Sequence, residues 1–230
     1  MAQVSARAGF NGSALTRLLS RLSQADVREP RQVTADRLSQ WFGWTDAISL
    51  SAALNGTPGA SPPGSRASAN AEETECRRVR AALAAAIAED STFAASPERD
   101  AAMDPAVPVE FSPFRQRYLA RQQAMEAGIG PLRGRLRARL ASRSPEMARL
   151  AAVDVVMEQV LGAQERSLLA GVPALLEKHF RRLRQAAPEA WLDTFRRDAR
   201  DVLLAELDLR FQPVDGLLEA FRTGHKDTPQ

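Results

Sequence analysis

The stretch SPEMARLAAVDVVMEQVLGAQERSLLA, residues 144–170, decides how the chain is to be read. Ser144 followed by Pro145 is a helix start, a side chain that caps and a ring that fits the first turn. Met147, Leu150, Asp154, Met157, Leu161, Gln164 and Leu168 then alternate by three and four, a seven-residue pattern kept for three repeats. That seam predicts a long helix paired antiparallel or as a coiled coil, not a round helical globule. Two seam positions are polar, Asp154 and Gln164. They are candidates for fixing register or a protein partner, unless helix rotation leaves them at the seam's edge.

The same signals recur on both sides. Ser112-Pro113 opens a helix whose stripe runs Phe114, Tyr118, Met125, Ile129, Leu132, Leu136 and Leu140, with Arg121 in the skipped place. Gly128, Gly130 and Pro131 interrupt it, and the proline predicts a kink or break. After Gly171-Val172-Pro173, Leu175, Leu176, Phe180 and Leu183 form another stripe. Pro188 opens a helix carrying Trp191, Leu192, Phe195, Val202, Leu203 and Leu207. Pro213 is expected to end it, leaving a short terminal helix with Leu217, Leu218 and Phe221.

Upstream, Glu72 to Asp90 is Ala-rich with Cys76, Val79, Leu83 and Ile87 on one face, so Cys76 reads as a small buried hydrophobe. Residues 57–71, TPGASPPGSRASANA, offer little to bury. Before them, Ser13 caps a helix with Leu15, Leu18, Leu19 and Leu22, a second helix runs from near Thr34 to Gly43, and Thr45 is expected to cap a third with Ala47, Ile48, Leu50 and Leu54. Nothing alternates as a strand does. The fold class is therefore all-α, a helical bundle with long antiparallel helices. Its parts are an N-terminal helical unit over 1–56, a disordered linker over 57–71, a bundle over 72–223 and a disordered tail over 224–230. Trp41, Phe42 and Trp44 are expected to plug the N-terminal unit onto the bundle and are the first protein-interaction candidates.

Of the 31 basic residues only Lys178 and Lys226 are lysines, and the formal net charge is +3. Arginine suits phosphate and carboxylate pairing. Arg133, Arg135, Arg137, Arg139 and Arg143, with no acid from Ala127 through Pro145, are the nucleic-acid candidates. Their spacing by two spreads them around a helix, and the following helix carries Glu146, Asp154 and Glu158 to meet part of that charge. The single cysteine excludes an intramolecular disulfide and a cysteine zinc cluster. No apolar run reaches the roughly 20 residues of a membrane span, and the N-terminus has no signal-peptide core.

The search for chemistry is negative. Gly128, Gly130 and Gly134 match a dinucleotide fingerprint loosely, with no strand before them, and there is no P-loop, paired-histidine metal helix or nucleophile elbow. His179 reads as a boundary residue and His225 as part of the tail. No catalytic residue, cofactor or metal is expected.

Leu38, Trp41, Trp44-Thr45-Asp46-Ala47-Ile48, Leu50-Ser51 and Ala53-Leu54 resemble the N-terminal signature of a family of uncharacterised proteobacterial proteins catalogued as a domain of unknown function. Leu209-Arg210-Phe211, Pro213-Val214 and Gly216-Leu217-Leu218 resemble that family's C-terminal end. The resemblance implies a bacterial, cytoplasmic, non-secreted protein, encoded near a large membrane protein and a peptidoglycan-binding one. Together with the seams, it leads to a noncatalytic interaction or scaffolding protein with a protein partner, a membrane-complex subunit among the candidates. A homo-oligomer is open as well, and nucleic-acid binding through the arginines is the alternative.

Overall fold

The computed structural model describes residues 13–24, 41–56, 69–94, 109–186 and 191–223. Among these residues there are seven helices and no strand: α1 Ala14–Ser23, α2 Trp44–Asn55, α3 Ala69–Ala88, α4 Ser112–Ala141, α5 Pro145–Leu169, α6 Val172–Ala186 and α7 Trp191–Thr223. The protein is an all-α bundle. Residues 34–40 of the helix expected to run to Gly43, residues 57–68 of the linker expected over 57–71 and the expected tail over 224–230 lie outside the described residues. Residues 69–71, counted with the linker from their composition, belong to α3.

α7 is the helix around which the others assemble; it packs against α1, α3, α4, α5 and α6. Phe195, Ala199, Val202, Leu203, Leu207, Phe211, Val214, Leu217 and Phe221 are all buried along it. At its N-terminal end Phe195 sits in a cluster of aromatic rings. The centroids of Phe180 and Phe114 lie 5.1 and 5.2 Å away and that of Phe111 6.1 Å away, all edge-on, the geometry ring quadrupoles favour. Trp191 stands edge-on to Phe180 at 4.9 Å. The core tryptophan is thus the third one, outside the Trp41/Trp44 pair.

Both prolines expected to interrupt helices lie inside continuous ones, Pro131 in the 30-residue α4 and Pro213 in the 33-residue α7. An interior proline costs about 3 kcal/mol. Here the apolar stripe stays in phase through each ring: Met125, Ile129, Leu132, Leu136 and Leu140 on α4, and Phe211, Val214, Leu217 and Phe221 on α7, are all buried. At about 1.5–3 kcal/mol for each large side chain, their burial outweighs the lost hydrogen bond. Gly128 lets α3 approach α4, for a β-carbon there would meet Leu83 Cδ1 at 3.4 Å.

α5 corrects the reading of the 144–170 seam. It packs on α4 along one side and on α2 along the other. Ala151, Asp154, Glu158 and Leu169 share the α4 side. At about 100° per residue, Arg149, Val156 and Val160 fall on the opposite side. Val156 and Val160 are buried yet separate from the main core, as a second contact face requires. The expected seam runs between the two faces, which is why Leu150 and Leu168 are 39% and 69% exposed. A helix gripped on two sides has two narrow stripes whose average points at neither.

α1 begins as expected, with Ser13 Oγ accepting from the Thr16 N–H. It docks on α6 and α7, whereas α2 docks on α5. The two N-terminal helices thus rest on different parts of the bundle.

Candidate interaction surface

α2 is built to stand on the surface. Its N-cap is Gly43, not Thr45: the Gly43 N–H donates to Asp46 Oδ2 at 2.9 Å, and the Thr45 carbonyl accepts from Ser49 Oγ. At its other end Arg149 Nε of α5 donates to the Gly56 carbonyl at 3.4 Å. Asp46, Leu50 and Ala53 are half-buried on the side facing α5, and no residue of α2 is fully buried. Trp44 and Ile48, one turn apart, point the other way and are 83% and 54% exposed. Leu54 at 55% and Trp41 at 37% flank them, while Phe42 is half-buried. Trp44 is therefore no plug. The expectation failed because apolarity says that a side chain avoids water without saying which neighbour covers it.

The other two interaction candidates are on α5. Asp154 ties α5 to α4: Arg133 donates to its carboxylate through Nε at 2.8 Å and Nη2 at 2.7 Å, and Arg137 Nη1 adds a third bond at 3.1 Å. Both guanidiniums also pair with Glu158. Asp154 is a register pin inside the chain. Gln164 is half-buried on the same helix.

The five arginines of α4 and its end divide by side. Arg133 and Arg137 face α5, as just described; Arg135 and Arg139 reach across to Glu75 and Glu72 of α3 at 3.2 and 3.5 Å. Arg143 Nη1 donates to the Phe221 carbonyl at 2.7 Å and stacks over its ring at 4.5 Å. Every one has an intramolecular partner.

Three polar groups escaped the sequence reading. Glu206 of α7 is fully buried; Tyr118 Oη donates to Oε2 at 2.8 Å, Gln122 Nε2 donates to both oxygens at 3.0 and 3.1 Å, and Arg210 Nε donates to Oε1 at 3.0 Å. Burial, then the Glu206 charge, pushes the Tyr118 phenol well above its usual range. His179 is buried, not a boundary residue: one ring nitrogen contacts Asp198 Oδ2 at 2.7 Å, and Arg182 Nη2 lies 2.8 Å from the other. An N–H from Arg182 leaves that nitrogen an acceptor, so the pair is a structural tie, with no face open to substrate. Cys76 is buried and its thiol is pushed up to about 11, first by burial and then by Glu72, so it is unreactive.

The third is Asp90, whose side chain is wholly inaccessible. Arg117 Nε and Arg121 Nε donate to Oδ2 at 2.6 Å, and the Thr92 N–H donates to Oδ1 at 3.0 Å. Burial pushes this carboxyl up, but the Thr92 N–H and the two guanidiniums together outweigh it and hold it below the usual value. A carboxyl lower in the folded than in the unfolded chain contributes fully above the ordinary carboxylate range, and that stability fades as pH falls through it. Asp90→Asn is expected to lose about 2 kcal/mol at neutral pH and to show a flatter decline than wild type between about pH 6 and about pH 3 in thermal melts. Parallel curves would reject the clamp.

Among the described residues no group of three or more His, Cys, Asp or Glu side chains is placed to hold a metal ion, and no helix is long and apolar enough to cross a membrane. No curated protein and no solved structure matches the chain. The model of the family described as "Protein of unknown function (DUF3348)" matches residues 1–223, so the protein belongs to that family.

Proposed function

We propose that this is a noncatalytic interaction protein, the soluble member of a bacterial envelope-linked complex, that docks through the outward ridge of α2. The observation that carries the reading is Trp44, 83% exposed on a helix whose only ionisable residue is Asp46. Exposed tryptophans are typical anchors of protein interfaces, and α2 carries large apolar residues on both sides, Leu50 toward α5 and Trp44 and Ile48 outward, which a lone solvent-facing helix does not. The interior of the bundle supports the same reading, because Glu206, His179 and Asp90 are each engaged with neighbouring side chains. The alternative, phosphate binding through Arg133, Arg135, Arg137, Arg139 and Arg143, is opposed by the partners that each of these already has.

The test compares wild type with Trp44→Ala in pull-downs from the native cells, washed at low and high salt, with bound protein and nucleic acid identified. The expected result is a protein retained at high salt by wild type and lost from the variant, whose stability shifts by no more than about 0.5 kcal/mol. Nucleic acid released steeply by salt from both would overturn it.

A further inference from the structure

We infer that the α2 ridge is the interface of a two-fold symmetric dimer, with a second copy of this chain as its occupant; this rests on the docking role proposed for α2. The argument begins with charge. From Ala47 to Ser65 the sequence holds no ionisable residue, in a chain that is 26% charged. Asp46 lies on the other side of α2, half-buried, its carboxylate accepting from Gly43. The outward ridge of Trp44, Ile48, Ser51 and Asn55 is therefore uncharged. A surface that must meet a differently charged partner gains from complementary charges. One that meets itself needs none, and gains from having none that repel. A lipid surface is disfavoured by the same composition, since interfacial helices carry lysine or arginine on their polar side and α2 has neither.

Area points the same way. Aromatic side chains present ~150–250 Å² each; with Trp44 83%, Leu54 55%, Ile48 54% and Trp41 37% exposed, the patch amounts to about 500 Å² per copy. Two such patches face to face remove about 1,000 Å² from water, the lower limit for a specific interface. A two-fold contact is also the commonest way for like chains to pair.

Shape fits an antiparallel crossing. The bulky Trp44 and Ile48 occupy the N-terminal half of the ridge, and the small exposed Ser51, Ala52 and Asn55 the C-terminal half, with Leu54 to one side. Rotation by a half-turn sets each copy's tryptophan on the other's small residues and aligns the helix dipoles head to tail. The axis then passes near Ile48, so that residue faces its own counterpart.

Light scattering and sedimentation of the purified full chain at ~1 to ~100 µM test this directly, a range that spans the expected affinity of a small interface. The expected result is a concentration-dependent dimer, with Trp44→Asp raising the dissociation constant about 30-fold or more while the melting temperature measured at dilutions where wild type is monomeric stays unchanged. Ile48→Cys is expected to give a disulfide-linked dimer on mild oxidation, whereas the exposed Gln212→Cys on α7 is not. A chain monomeric throughout the range overturns the second copy as occupant. So does a dimer that Trp44→Asp leaves intact. The pull-down with Trp44→Ala is read separately: a monomeric chain that still loses its bound protein on that substitution leaves the docking role of α2 standing and removes the dimer alone.

Discussion

Truncating Phe195 to alanine is expected to destabilise the protein by about 3–5 kcal/mol, lowering the midpoint of a thermal melt by about 10 °C or more. Phe195 is completely buried and stands edge-on to three other phenylalanine rings, from α4, α6 and the residue preceding α4. Its removal opens a ring-sized cavity where four segments meet, and long helices fixed along their whole length collapse poorly onto such a void. Phe195→Leu, which keeps most of the volume, is expected to cost less than half as much. Equal losses for the two variants would show that the edge-on ring geometry, not the filled volume, carries the stability.

Glu206→Ala is expected to cost about 3–5 kcal/mol, by a different route. The alanine leaves Arg210 buried without its nearest carboxylate, and Tyr118 and Gln122 without an acceptor. Glu126 and Glu165, each 3.4 Å from Arg210, soften the loss without replacing those contacts. Replacing both charges, as in Glu206→Leu with Arg210→Met, is expected to recover the part of the stability lost through the unpaired Arg210, while Tyr118 and Gln122 still lack their acceptor. Urea melts of the single and double variants measure the coupling. If the losses simply add, the two residues do not act as a pair and this account is wrong.

The sequence made the large features plain and hid the small ones, for reasons that individual residues explain. Phe114, Tyr118, Met125, Ile129, Leu132, Leu136 and Leu140 form one stripe with a single face to satisfy, and all seven are buried. Even there the skipped place belongs to Gln122, not Arg121, which turns aside to Asp90. α5 misled because it serves two neighbours at once. Pro131 and Pro213 misled because a local rule was applied where packing on both sides of the ring was stronger. Glu206 and Arg210 carry a signal of their own, an oppositely charged pair four residues apart inside the apolar run LLAELDLRF. The tryptophan pair is conspicuous in the sequence, but whether an apolar side chain faces its own bundle or another surface depends on how α2 lies across α5.

The place of α7 has a consequence for how the protein is made. Every helix that packs on it comes earlier in the chain, α1 by more than 150 residues. On the ribosome α1, α3, α4 and α6 can meet one another and α5, but the sides of them that pack on α7 stay uncovered until residues 191–223 follow. At ~5–20 residues per second, the interval between completing α3 and completing α7 is on the order of ten seconds. Chains cut short before residue 191 are therefore expected to aggregate more readily than the full chain, because the faces that α7 covers remain open to water.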